Sequence, residues 1–258
     1  MQIIESTDYA VRTAVLRLHH RGTPLEFLLY PMLHVGKPEF YQEITERLSH
    51  ADVIVAEGIG AAESRDRDKD RDKADPTEPE SEPENFSIAA AILTSGYRAL
   101  TKDDQLGLVE QDIDYEALGI PIIYPDFSPK QFDQRFSTIS LWERGKIFAQ
   151  IGSLVAIQRL LGSGLLRFQL EHATMDDLPS LGEIFAPDAV ENLNRVLIRE
   201  RDKPLTRALD ALYAERGTEP ITVAVVYGAM HMRAVLKHLR PLGFRVVAGE
   251  WVTITDWT

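Results

Sequence analysis

Four polar residues of kinds that bind metals or transfer protons each follow a predicted buried strand. His34, Glu57, Asp126 and His231 come directly after the segments FLLYPML, DVIVA, IPIIYP and ITVAVVYGAM. In open α/β sheets, ligands bind beyond the carboxyl ends of the strands. The sequence therefore predicts a polar site at that edge of a sheet, built from two imidazoles and two carboxylates.

His34 and Glu57 follow successive strands of one predicted βαβ unit. If those strands are neighbours, they lie about 4.8 Å apart and both side chains leave the same edge. An imidazole and a carboxylate placed there can share one metal ion. His231 lies at a predicted helix start, where the positive end of the helix dipole favours a neutral imidazole, which can bind a metal or accept a proton.

Each of these residues also has a structural interpretation. A single histidine beside a strand is more often structural or exposed, and Glu57 could be a helix cap or a salt-bridge partner. Asp126 precedes Ser128 and could cap the helix that follows. The charged run 199–202 lies in a predicted helix. The sequence alone favours its interpretation as the solvent-exposed face of that helix. These alternatives stay open on the sequence alone.

The composition excludes several kinds of site. The 258 residues include no cysteine, which excludes a thiolate nucleophile, an iron–sulfur cluster and a cysteine zinc site. A metal would have to be held by His, Asp, Glu or backbone oxygen. The net charge of −12 argues against a nucleic-acid partner. There is also no Gly-x-Ser-x-Gly elbow, phosphate-binding loop, Gly-x-Gly-x-x-Gly turn or His-Glu-x-x-His motif.

The elements that must position these residues alternate between strands and helices. This alternation predicts a single α/β domain over residues 1–258, with a mainly parallel sheet, flanking helices and a helical cap or arm at about 129–216. The predicted strands cover residues 24–33, 52–56, 120–124, 221–227 and 244–248. The predicted helices cover residues 38–50, 86–100, 129–168, 187–216 and 230–239.

Two segments stand apart from this pattern. Residues 61–85 contain no apolar side chain larger than alanine and are rich in Asp, Glu, Arg, Lys and Pro, so we expect a disordered surface insertion or, less simply, a charged docking segment. The apolar stretch 147–168 is interrupted by polar and charged residues, which predicts a buried or interface helix, consistent with a homodimer, and no membrane span. The N-terminal residues lack the apolar core of a signal peptide, so a cytoplasmic location is expected.

Two blocks of the chain resemble the TraB family, which includes pheromone-shutdown proteins and the Tiki proteases. The first block is PMLHVGKPEFYQEITERLSHADVIVAEGIG, and the second is YGAMHMRAVLKHLRPLGFRVV. The second contains the Gly-x-x-His motif of the family, whereas the first has Pro31 where the family has glycine. The ERD element at 200–202 and the stretch EQDIDYEALGIPIIYPDFS at 110–128 are also similar to family blocks.

The resemblance implies a fold shared with erythromycin esterases and the ChaN haem- or iron-binding lipoproteins. It also implies a peptidase that uses manganese or cobalt. By position in the motifs, His34, Glu57 and His231 match the metal or catalytic residues of the family. Arg201 matches the motif arginine, and Asp126 is a softer match.

The favoured prediction is a metal-dependent hydrolase, specifically a peptidase, with His34, Glu57 and His231 as ligands of a divalent ion. Manganese or cobalt is favoured by the resemblance, while zinc and iron suit the same ligand types. Asp126 would orient or deprotonate the metal-bound water, and Arg201 would stabilise the oxyanion or hold a substrate carboxylate.

Two other functions fit the same residues. The first is a metal-free, esterase-like hydrolase, in which His34 or His231 acts as general base with Glu57. The second is a regulatory protein without catalytic activity that binds haem, iron or a peptide. For either hydrolase the expected partner is a peptide or small-molecule substrate, and for the regulatory protein it is haem, iron or a peptide.

Overall fold

The fold is described from a computed structural model. The structure describes residues 2–58, 107–140, 142, 143, 145 and 195–256. The predicted insertion at 61–85, the predicted helix at 86–100 and the apolar stretch at 147–168 lie outside the described residues. So does most of the predicted helical subregion at 129–216.

Seven strands of the described residues form one mixed sheet, and two short strands form a separate ladder. The sheet contains β1 (Ile4–Ser6), β2 (Ala10–His19), β3 (Glu26–Met32), β5 (Val53–Ala56), β7 (Ile122–Ile123), β8 (Thr222–Gly228) and β9 (Arg245–Asp256), and the ladder pairs β4 (Val35–Gly36) with β6 (Val109–Glu110). The described helices are α1 (Pro38–Leu48), α2 (Pro129–Phe136), α3 (Glu200–Arg216) and α4 (Ala229–Leu239), with a 3₁₀ turn at Glu116–Leu118 and a π-helical turn at Arg195–Arg199.

One half of the sheet is parallel, as the sequence predicted. Its strand order is β3-β8-β5-β7, and each neighbouring pair runs in the same direction. β3 and β5 are not neighbours, because β8 lies between them, so the condition for a spacing of one strand between His34 and Glu57 is not met. The crossover through α1 therefore skips one strand position, which β8 fills later in the chain.

The other half of the sheet is antiparallel, and the sequence did not predict it. β2 pairs with β9 along residues 10–19, while β1 and β3 pair with the two ends of the same strand. The predicted strand at 244–248 extends to Asp256 in β9. Most side chains in the first part of β9 are exposed, so this part has no alternation of apolar and polar residues that would reveal its length.

The helices cover both faces of the parallel half. On one face, the strand residues Val223 and Val225 pack with Leu205 of α3 and Val235 of α4. On the other face, the alternate residues of β8 pack with α1, whose buried side chains Phe40, Tyr41, Ile44 and Leu48 recur at helical spacing. This sandwich of helices around a sheet fixes the strands whose carboxyl ends carry the candidate site. None of the described helices has the length and apolar character needed to cross a bilayer.

We expect Ile44→Ala to lower the free energy of unfolding by about 2–5 kcal/mol, because it removes a fully buried side chain between α1 and the sheet. Urea denaturation of the full chain measures this change. Gln42→Ala, on the exposed side of the same helix, is the matched control and should change the free energy by less than about 0.5 kcal/mol. Equal small effects at both positions would show that α1 does not pack on the sheet as described.

Candidate functional site

Glu57 is the first residue after β5, and its carboxylate is held from two sides. Oε2 accepts a hydrogen bond from the backbone N–H of Gly228 at 2.7 Å, and Oε1 accepts one from Nη2 of Arg201 at 2.5 Å. A Cβ atom at position 228 would lie 3.2 Å from Oε2, so a residue without a side chain permits this close approach. The end of β8 thus positions the carboxylate that follows β5.

Arg201 joins Glu57 to a second carboxylate. Its Nε donates to Oδ1 of Asp126 at 2.9 Å, and its Nη2 donates to Oδ2 at 2.5 Å. The backbone N–H groups of Phe127 and Gly58 also donate to Asp126. Because Arg201 is only 7% exposed, this three-residue carboxylate–arginine network of Glu57, Asp126 and Arg201 is largely shielded from water.

The network decides two of the alternatives that the sequence left open. The charged run 199–202 is not simply a solvated face, since Arg201 is buried and paired with two carboxylates. Asp126 does not cap the following helix, because Ser128 does so in a capping box with Gln131. The structural interpretation of Glu57 as a salt-bridge partner and its functional interpretation both remain compatible with these contacts.

The charges around Glu57 keep its carboxyl ionised. Burial on its own would raise the pKa of Glu57, but the positive charge of Arg201 opposes burial, with smaller contributions from His231, His34 and the Gly228 N–H. The net result is a pKa of about 2 instead of the usual 4.5. Glu57 is therefore a carboxylate, and not a proton donor, at neutral pH.

His231 lies at the start of α4 and is 2% exposed. Its Nδ1 is 2.8 Å from Oδ1 of Asp202, and its Nε2 lies 3.8 Å from Oε1 of Glu57. With Asp202 as acceptor, Nδ1 carries the proton and Nε2 is left as the basic nitrogen. The Asp202–His231 pair therefore points a basic nitrogen toward the Glu57 carboxylate.

His34 lies two residues beyond the end of β3, at the same edge of the sheet. It is exposed, and its backbone carbonyl accepts a hydrogen bond from the N–H of Gln111 at 2.8 Å. Its charge contributes to the lowered pKa of Glu57, so His34 is within electrostatic reach of that carboxylate. The structure thus brings all five predicted site residues to one region.

Two residues near the site were not assigned a role from the sequence. Asp202 belongs to the ERD element, and its position next to Arg201 was the available signal. Tyr227 packs its ring edge-on against the His231 imidazole, with ring centres 5.5 Å apart. Its place in an apolar strand made it look like an ordinary core residue.

A metal site needs several ligand side chains that converge on one point. Across residues 2–58, 107–140, 142, 143, 145 and 195–256, no three His, Asp or Glu side chains are grouped as metal ligands. Both oxygens of Glu57 already accept hydrogen bonds, and both oxygens of Asp126 are paired with Arg201. The described arrangement therefore supplies Nε2 of His231 and Oε1 of Glu57 as a facing pair, and it does not assemble the predicted set of three ligands.

Comparison with protein-family models gives no match for this chain. Comparison with curated proteins and with solved structures gives no significant match either.

We expect Arg201→Met to destabilise the protein by about 3–5 kcal/mol, because it leaves two carboxylates close together without their shared cation. Chemical denaturation measures the loss. Arg207→Met is the matched control, since Arg207 lies on the same helix with an exposed side chain, and it should stay within about 0.5 kcal/mol of the wild type. A similar small change in both variants would contradict the central role of the network.

The lowered pKa of Glu57 predicts a specific dependence of stability on pH. A carboxyl whose pKa is depressed by folding adds stability that is fully present above its unfolded pKa and disappears as the pH falls through its folded pKa. We therefore expect Glu57→Gln to be less stable than the wild type at pH 7, with the difference shrinking between about pH 5 and pH 2. Urea denaturation across this range tests it, with the exposed Glu46→Gln as control, and a difference independent of pH would contradict it.

Proposed function

We propose that this protein is a hydrolase of amide or ester bonds in which His231 is the general base. The observation that carries the proposal is the contact between Nδ1 of His231 and Oδ1 of Asp202 at 2.8 Å, which orients Nε2 toward the site. A carboxylate behind an imidazole fixes its tautomer and stabilises the imidazolium that forms during the reaction. The resemblance to a family of peptidases and to esterase-like folds supports the same class of reaction.

The surrounding groups suit activation of a water molecule. Nε2 of His231 and Oε1 of Glu57 are 3.8 Å apart, so one water can hydrogen-bond to both atoms. Nε2 would take a proton from this water as its oxygen attacks the carbonyl carbon of the substrate. The ionised Glu57 would then lie beside the imidazolium and stabilise its charge, and the imidazolium would return the proton to the leaving alcohol or amine.

Arg201 has a different role in this proposal from the one suggested by its motif position. Its Nε and Nη2 are engaged by Asp126 and Glu57, so it fixes both carboxylates and balances part of their charge. We propose that Asp126 acts through Arg201 to hold Glu57 in place. Both residues are therefore positioning residues here and do not touch the substrate.

A metal-dependent hydrolase, specifically a peptidase, is the second candidate. It is favoured by the same Asp202–His231 contact, because metal-binding histidines usually donate their other ring N–H to a carboxylate. His231 and Glu57 would hold the ion, with His34 nearby at the sheet edge. A divalent ion held there would supply a Lewis acid and lower the pKa of a bound water.

We expect His231→Ala to lower kcat for ester or amide hydrolysis by about 10²–10⁴-fold, and Asp202→Asn to lower it as well, because both changes impair the general base. The assay uses 4-nitrophenyl acetate and a mixed peptide panel. The chain supplies its own control in His238 and Asp210, which form a 2.8 Å pair on the same two helices away from the site. His238→Ala and Asp210→Asn should leave kcat unchanged.

Metal content separates the two candidates. Mass spectrometry of the purified wild type and of the His34→Ala/His231→Ala variant, each after loading with manganese, cobalt, zinc and iron, measures bound metal directly. A near-stoichiometric ion that the double variant loses supports the metal-dependent enzyme, and activity that survives exhaustive chelation supports the metal-free one. Tight binding of haem, iron or peptide with no turnover of any substrate would contradict both and indicate a regulatory binding protein.

A further inference from the structure

The hydroxyl group of Tyr227 is buried and has no hydrogen-bond partner among the described residues. The residue as a whole is 1% exposed. A buried donor without an acceptor costs folding free energy, whereas phenylalanine would fill a similar volume without that cost. Tyr227 shares an apolar cluster with the hydrocarbon side chains of Val223 and Val225.

Tyr227 lies directly beside the reacting groups of the proposed hydrolase. Its ring contacts the His231 imidazole edge-on, at an interplanar angle of 78°, and its neighbour Gly228 binds Glu57 through its backbone N–H. Burial raises the pKa of Tyr227, and the negative charges of Asp126 and Glu57 raise it further. The hydroxyl therefore stays protonated at neutral pH and can donate a hydrogen bond.

The other donors described at the site are already used by carboxylates. Nε and Nη2 of Arg201 donate to Asp126 and Glu57, and the backbone N–H of Gly228 donates to Glu57. Hydrolysis of an ester or amide requires a donor for the carbonyl oxygen, which becomes negative when water attacks. Tyr227, whose ring contacts the His231 imidazole, carries a hydroxyl donor that has no acceptor among the described residues.

We propose that the Tyr227 hydroxyl donates the hydrogen bond that stabilises the negative oxygen of the reacting ester or amide. This inference rests on the proposed function, since it assigns a further catalytic residue to the same reaction. The water oxygen bonds to the carbonyl carbon, the water proton moves to Nε2 of His231, and the carbonyl electrons move onto the oxygen that accepts from Tyr227. When the intermediate collapses, the bond to the leaving group breaks and His231 protonates that group.

The test is Tyr227→Phe in the full-length protein, assayed with 4-nitrophenyl acetate. We expect kcat to fall about 100-fold, as for loss of a single oxyanion donor, with KM within about twofold of the wild type. The Tm should be equal or higher, because the variant removes an unsatisfied buried hydroxyl. Tyr213→Phe, whose ring packs on Phe244 away from the site, is the matched control and should leave kcat unchanged.

Two outcomes of this assay would overturn the inference while leaving the proposed function intact. One is an active wild type with the same kcat in Tyr227→Phe. The other is a fall in Tm together with kcat, which would show that the hydroxyl supports the fold. A selective loss of kcat at constant KM and Tm supports the assignment.

A binding measurement separates this inference from the proposed function. Phenylboronic acid becomes tetrahedral and negative when it adds a water oxygen, so it imitates the attacked carbonyl without turnover. Calorimetry should show binding to the wild type at least tenfold tighter than to Tyr227→Phe. An active wild type that binds phenylboronic acid no more tightly than Tyr227→Phe would overturn the donor role alone, whereas a wild type that neither hydrolyses nor binds would overturn both.

Discussion

The arrangement of the whole site depends on one buried cation shared between two carboxylates. Arg201 comes from the first turn of α3, Glu57 follows β5, and Asp126 follows β7. A guanidinium with little access to water must be fully paired, because an uncompensated buried charge is expensive. The two strand ends and the helix can therefore occupy only those relative positions in which Arg201 reaches both carboxylates at once.

This constraint also places the histidine. Asp202 directly follows Arg201, so the same helical turn that presents the guanidinium to the carboxylates presents Asp202 to Nδ1 of His231. β8 ends between β3 and β5, and its last residue binds Glu57 through its backbone N–H. His231 lies in the first turn of α4, the helix that follows. The start of α3 and the end of β8 thus fix the distance between the Glu57 carboxylate and the His231 imidazole.

The sequence indicated which residues lie at the carboxyl edge of the sheet, but it did not indicate the order of the strands. Apolar runs indicated where β3, β5, β7 and β8 lie, and the rule that ligands bind at carboxyl ends brought their flanking residues together. The position of β8 between β3 and β5 depends on two pairings between distant segments, such as Val53 with Val223 and Glu26 with Thr222, which no local pattern records. The same limit applied to Arg201, whose charged neighbours suggest a surface and whose burial depends on partners distant in the sequence. Tyr227 carried no local signal at all, because a tyrosine in an apolar strand is ordinary until its hydroxyl is seen to lack a partner.

A second Asp–His pair on α3 and α4 shows that the position of His231, and not its residue type, distinguishes it from an ordinary surface histidine. Asp210 and His238 repeat the Asp–His contact at 2.8 Å, about two helical turns further along α3 and α4. The His238 side chain is 29% exposed and that of His231 is 2% exposed. In water, an Asp–His contact is screened and contributes little. Next to Glu57 and away from solvent, the same contact holds Nε2 of His231 3.8 Å from a fixed carboxylate, and this is the nitrogen that the proposed reaction uses as its base.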